Sequence, residues 1–322
     1  MTLQGCVEEQ DRIYAMPLKS PPTEKDWAGA LPIRLTATGG ASSLPGQSDV
    51  DGDSVHKATA SCHHGSGARP IKVTAKAFYT PFEIFIRFRW QDPGADLGPY
   101  WTREGAKWRA AGPRRDGLGI VWGPPGAKFA CATVCHLKDW RNEGARAFGD
   151  FQMSAGEGRK LDFWIWKAGR GGPGGAVEVA RLTAEGRKSM GPEDFETPNS
   201  VLAASKGLSG LADQAFGEND APLKTPETGD ERTAPGYLVT ASEPSRTEVS
   251  ANATHENGAW TLTVSRRLTG MDPDDVKFVA GGEYSFGLAV IDGVARDHNA
   301  VSAPVVIRLV SPGDIGVGEA DK

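Results

Sequence analysis

No stretch of about 18 consecutive apolar residues occurs in the chain, so the sequence offers no membrane-spanning helix. It also lacks a basic run, and no aromatic residues are interleaved with Arg or Lys, which excludes a nucleic-acid-binding surface of the usual kind. Gly-x-Ser-x-Gly is absent, as is a glycine-rich dinucleotide turn between strand and helix, so neither a serine hydrolase nor a nicotinamide enzyme is indicated. A charged-then-apolar leader does not open the sequence. What is abundant is glycine, with 41 residues, and proline, with 22, beside nine tryptophans. That mixture favours short strands joined by many turns over long helices. With 39% hydrophobic residues among 322, one large β domain or two smaller ones can be buried. The charges nearly balance, at 36 basic against 41 acidic.

Alternating apolar and polar residues mark strands at 33–38, 71–78, 83–90, 117–122, 161–166, 236–240, 247–253, 259–266, 284–291 and 304–309. A short turn makes a hairpin of the strands at 71–78 and 83–90, and Glu256-Asn257-Gly258 marks a turn before the strand at 259–266. The expected fold is mainly β: a β-sandwich with long loop insertions and few short helices. Residues 1–25 read as a polar tail, 26–311 as one domain with insertions at 39–70 and 168–235, and 312–322 as a C-terminal tail. A weak helical pattern lies near 176–190. The acidic turn Asp272-Pro273-Asp274-Asp275 fits a solvated turn better than a calcium loop.

The four cysteines are Cys6, Cys62, Cys131 and Cys135. Leu3-Gln4-Gly5-Cys6 looks like the end of a bacterial lipoprotein signal whose apolar part would lie upstream, with a stray thiol as the plainer reading. Cys131-Ala132-Thr133-Val134-Cys135-His136 is the most specific pattern in the chain. Two cysteines followed directly by His are the c-type haem attachment arrangement, here with three intervening residues instead of two. The thiols would tether the porphyrin as thioethers, and His136 would bind the iron. If extended, the two cysteines would stand roughly 13 Å apart, awkward for a disulfide between them. A disulfide and a zinc site nevertheless remain open. Met153 and His298 compete as the distal iron ligand. Cys62-His63-His64 fits a plain surface loop, a metal site with His56, or a second haem held by one thioether.

Several segments in a fixed order then point to a family. They are Asp26-Trp27, Trp90-Gln91-Asp92-Pro93, Arg115-Asp116-Gly117-Leu118-Gly119-Ile120, the cysteine motif, Leu161 to Ala168, Trp260 to Leu268, Asp274-Asp275-Val276, and Gly282-Glu283-Tyr284 through Asp292-Gly293. In this order the chain resembles the haem-binding γ-subunit of ethylbenzene dehydrogenase and its c-type cytochrome relatives. The resemblance implies a β-sandwich holding a haem near one end, gripped in the b-type branch by a Met before the Trp-x-Trp strand and a Lys before the last strand. Met153 falls at the first place, and His298 stands near the second.

The expected function is therefore electron transfer by a periplasmic or cell-surface cytochrome, with haem c as cofactor. Its partner would be a redox protein such as a molybdenum oxidoreductase or a membrane cytochrome, with membrane attachment through a lipidated Cys6. A catalytic haem with an open coordination site is a variant of this. The competing expectation is a non-enzymatic β-sandwich binding module for carbohydrate or protein, with Cys131 and Cys135 in a disulfide and tryptophans such as Trp101 and Trp108 stacking on sugar.

Overall fold

The structure, a computed structural model, describes residues 12–37, 70–126 except 113, 135–137, 151–153, 155, 158–170, 174–184, 186–189, 195–206, 220–225, 232–240, 244–293, 298–300 and 304–313. Its first elements are β1 (Arg12–Pro17), α1 (Glu24–Gly29), β2 (Ile33–Ala37), β3 (Ile71–Tyr79) and β4 (Glu83–Gln91). Then come β5 (Tyr100–Glu104), β6 (Lys107–Ala111), β7 (Gly117–Trp122), β8 (Cys135–Leu137), β9 (Phe151–Met153) and β10 (Leu161–Lys167). The middle of the chain adds β11 (Ala176–Thr183), β12 (Gly186–Ser189), β13 (Glu196–Pro198), α2 (Val201–Ser205), β14 (Thr233–Pro235) and β15 (Tyr237–Val239). A 3₁₀ turn, Pro244–Arg246, precedes β16 (Ser250–Glu256), β17 (Ala259–Arg267), β18 (Glu283–Ile291), β19 (His298–Ala300) and β20 (Val305–Leu309). Among the described residues the protein is thus mainly β with two short helices, and it forms a near-closed sandwich.

One long sheet runs in the order β12-β11-β10-β7-β18-β20-β1-β3-β4-β17-β16, with β19 added to β18 and β2 to β3. Strand β1 pairs in parallel with both β20 and β3, and so joins the two layers. The core lies between them: Trp90 of β4 meets Trp166 of β10 at 6.0 Å, and Trp166 meets Trp260 of β17 at 5.1 Å. Trp122 packs edge-on against Trp164 and Phe278, each at 5.0 Å. The period-2 pattern explains the burial, since alternate residues of a strand face opposite sides. Along β17, Trp260, Leu262 and Val264 are buried, while Thr261 and Thr263 remain partly exposed.

Three sequence expectations change. The tail at 1–25 contains β1, whose Ile13 and Ala15 are buried. The insertion at 168–235 holds strands β11 to β14 and α2. The weak helical pattern near 176–190 is instead the hairpin β11–β12, in which Glu178 and Arg181 are buried, at 2% and 4% exposed. Of the other expected insertion, 39–70, residues 39–69 lie outside the described residues. The Asn257-Gly258 turn is as expected, with φ of 53° and 66°, the left-handed pair that a two-residue hairpin requires. No described helix is long and apolar enough to cross a membrane.

Candidate binding site

Cys6, Cys62, His63, His64 and Cys131 lie outside the described residues. Cys135 and His136 begin β8, a two-stranded ribbon with β9 in which Cys135 stands opposite Met153 and His136 opposite Gln152. His298 starts β19, opposite Ile291 of β18, in a different sheet. The backbone thus places Met153 beside the cysteine motif and His298 on another sheet. Of the two tryptophans expected to stack on sugar, Trp101 is fully buried and donates Nε1 to Asn199 O at 2.6 Å. Trp108 is half-buried, with the Arg103 guanidinium 6.0 Å from its ring.

Strand pairing builds a polar surface that no single segment reveals. On the outer face of the β3-β4-β17-β16 layer two rungs cross all four strands. One aligns Thr74, Arg89, Thr261 and Thr254; the next aligns Lys76, Arg87, Thr263 and Asn252. They floor a groove of about 500 Å³ whose wall is α1. That helix is fixed by a capping box, in which Thr23 N donates to Asp26 Oδ2 at 2.7 Å and Asp26 N to Thr23 Oγ1 at 3.4 Å. From α1, Glu24 accepts two bonds from Arg87, at 2.8 and 2.7 Å, and Arg87 lies 4.4 Å over the Trp27 ring. The Arg87 bond, and lesser electrostatic attraction, hold the Glu24 carboxyl below its ordinary pKa against slight burial. Arg87 Nε also donates to Thr263 Oγ1 at 2.9 Å, and Lys76 Nζ to Trp27 O at 2.6 Å. One side of the groove is thereby pre-organised. The side chains of Arg89, Thr254, Thr261 and Asn252 make no bond to other described residues and point their donors and acceptors at the groove.

A second cavity, of about 660 Å³, lies between Trp122–Pro125, Gly158–Asp162 and Pro273–Lys277. Behind it is an ionic array. Asp162 accepts from Trp164 Nε1 at 2.9 Å, Arg266 Nη1 at 2.7 Å, Arg181 Nη1 at 3.2 Å and Val276 N at 3.2 Å. Asp275 pairs with Arg181 and accepts from Met271 N and Asp272 N, so the acidic turn braces the array. Glu248, its side chain 4% exposed, lies 3.6 Å from Arg266. Burial, and then the Asp275 carboxyl beside it, push its pKa to about 8.

The folded chain therefore holds the Glu248 proton more tightly than the unfolded chain, whose carboxyl titrates near 4.5. Stability from this group is complete below that value and is lost as pH rises through about 8. Calorimetry should show the melting temperature of the wild type falling across that window relative to Glu248→Gln. Parallel profiles for the two proteins would contradict the shift.

Neither cavity is lined by cysteine, histidine or methionine among the described residues. His255, the one histidine whose side chain is described, is engaged: Nε2 lies 2.8 Å from Asp92 O and its ring 5.1 Å from Trp260. The described cavities thus offer no sulfur or imidazole to a haem iron.

No curated protein matches the sequence. A family 9 carbohydrate-binding module from Caldicellulosiruptor kristjanssonii, solved with cellotriose, is similar at 8% identity and a TM-score of 0.37, covering 97% of this chain and 100% of that one. The same module with glucose gives 7% identity and a TM-score of 0.32, over 93% and 96% of the two chains. A putative carbohydrate-binding protein from Bacteroides uniformis is similar at 9% identity and a TM-score of 0.38, over 92% and 97%. The expectation of a c-type haem electron-transfer protein is corrected here. Neither described cavity is lined by cysteine, histidine or methionine, and only the family resemblance favours haem. The sequence model of the ethylbenzene dehydrogenase family matches residues 24–301, most of the chain, and the protein belongs to that family.

Proposed function

We propose that the chain is a non-catalytic β-sandwich binding module that takes a polyhydroxylated ligand, a carbohydrate, in the groove on the β3-β4-β17-β16 face. The observation that supports this is the pair of polar rungs across four strands. Hydroxyl and amide groups can both donate to and accept from sugar hydroxyls, and guanidinium groups donate to them. Four strands about 4.8 Å apart spread them over roughly 14 Å, enough for a short oligosaccharide. Charges of both signs border the groove, Glu24 and Glu256 against Lys76, Arg87 and Arg89, so it carries no strong net field to select an ion.

Isothermal titration of the full chain with a panel of soluble oligosaccharides tests this. Arg89 and Asn252 are exposed and contribute no intramolecular side-chain bond among the described residues, so their loss should leave the fold intact. Arg89→Ala is expected to weaken binding about 10- to 100-fold, the value of a hydrogen bond to a charged group. Asn252→Ala should weaken it by about tenfold or less. Unchanged affinity in both variants would move the ligand elsewhere. The intact mass bears on the same reading: two hydrogens fewer if Cys131 and Cys135 are joined, a haem's mass more if they carry one. The second result would overturn the proposal.

A further inference from the structure

Three segments far apart in sequence bring carboxylates to one spot: Asp92 after β4, Asp116 before β7 and Asp292 after β18. One oxygen from each lies within 4.8 Å of the others. Asp116 is fixed by donors, Gly293 N at 2.9 Å on Oδ1, and Asp96 N at 2.8 Å with Trp260 Nε1 at 2.9 Å on Oδ2. Asp92 is different. It is 3% exposed, and Gly94 N reaches only Oδ1, at 3.2 Å. Its Oδ2 is buried and has no hydrogen-bond partner. A buried carboxylate oxygen without a donor is costly unless a cation compensates it. None of the three is ion-paired to Lys or Arg among the described residues; Arg114 turns instead to Asp96, at 3.5 Å. His255 approaches the Asp92 carbonyl, not its carboxylate.

We propose that Asp92, Asp116 and Asp292 bind a calcium ion, which ties the ends of β4, β7 and β18 together. The donors are all oxygen, which suits a hard cation and not zinc or copper. Calcium holds oxygens at about 2.3–2.6 Å, so two ligands of one ion stand at most about 5 Å apart, a limit that the three oxygens meet. Magnesium requires about 2.0–2.1 Å in a strict octahedron, a tighter set. Asp292 is exposed, which leaves an entry path and room for waters to complete the shell. Burial first, and then the neighbouring carboxylates, push the Asp92 carboxyl above its ordinary pKa, as expected of gathered negative charge without a counter-ion.

The test is thermal unfolding of the full chain, stripped with a chelator and titrated with calcium chloride. Calcium at about 100 times its dissociation constant is expected to raise the melting temperature by roughly 4 °C. Asp292→Asn and Asp92→Asn should each lose most of that rise. Without cation, Asp92→Asn should melt no lower than the wild type, because the uncompensated buried charge is gone. Terbium in place of calcium should luminesce on tryptophan excitation, since Trp260 is one hydrogen bond from Asp116. No calcium shift and no luminescence in the wild type would overturn the proposal. So would an undiminished shift in a protein carrying both Asp92→Asn and Asp292→Asn, or a shift with magnesium equal to that with calcium. The groove lies on the outer sheet face, so loss of sugar binding leaves this outcome untouched.

Discussion

Glu196→Ala is expected to lower the unfolding free energy by about 3–5 kcal/mol, the usual consequence of removing one partner from a buried charge cluster. Glu196 of β13 accepts from Arg115 Nη1 and Nη2 at 3.1 and 2.9 Å, from Arg170 Nε and Nη2 at 3.1 and 3.3 Å, and from Lys167 at 3.4 Å. Arg115 and Arg170 are 8% and 1% exposed, so the substitution would leave both guanidinium groups without this counter-charge. Burial alone would raise the Glu196 carboxyl, but Arg170, Arg115 and Lys167 together outweigh it and hold it well below the usual range. Burial pulls the Arg115 pKa down against the pull of Glu196, yet an arginine stays charged, so the pairing is best read from the carboxylate. A depressed carboxyl contributes stability that is present above its unfolded pKa of about 4.5 and is lost as pH falls toward the folded value. Urea unfolding at neutral and acid pH checks both points. The gap between wild type and variant should be wide at neutral pH and narrow in acid. A variant as stable as the wild type at neutral pH would show that the cluster contributes nothing.

Trp260→Ala should be comparably severe, again about 3–5 kcal/mol, because it opens a cavity at the centre of the core. The Trp260 ring stacks on Trp90 at 6.4 Å and meets Trp166 at 5.1 Å, so it touches both layers of the sandwich. Its Nε1 also supplies one of the two donors on Asp116 Oδ2. Trp260→Phe separates these roles: it keeps most of the packing and deletes one donor, at a cost of about 0.5–1.5 kcal/mol, since Asp96 N still satisfies the acceptor. Equilibrium unfolding of both variants should rank Ala below Phe below wild type. Equal losses for Phe and Ala would put the weight on the hydrogen bond instead of the packing.

Much of the fold can be read from the chain because most of its strands alternate cleanly. Trp260, Leu262 and Val264 against Thr261 and Thr263 announce both the strand and its buried side. Strand β1 escapes such reading because six residues ending in Pro17 give too short a pattern. Its pairing to β20, across nearly the whole chain, is invisible locally. Strand β11 is masked by Glu178 and Arg181, which suggest a solvated face but are buried against Arg170 and Asp162. The groove is a matter of register: Arg89 and Thr254 become neighbours across β17 only once β4, β17 and β16 are paired. The three aspartates stood within recognisable segments, Trp90-Gln91-Asp92-Pro93, Arg115-Asp116-Gly117 and Asp292-Gly293, yet nothing local shows that they converge. The haem expectation rested on the spacing of Cys131, Cys135 and His136, of which Cys131 lies outside the described residues.

The most direct test of the binding-module function is calorimetric titration of the full chain with soluble oligosaccharides, wild type beside Arg89→Ala. Saturable heat with at least one glycan, weakened about 10- to 100-fold by the substitution, is the expected result. No heat with any glycan, from a protein that carries covalent haem, would contradict it.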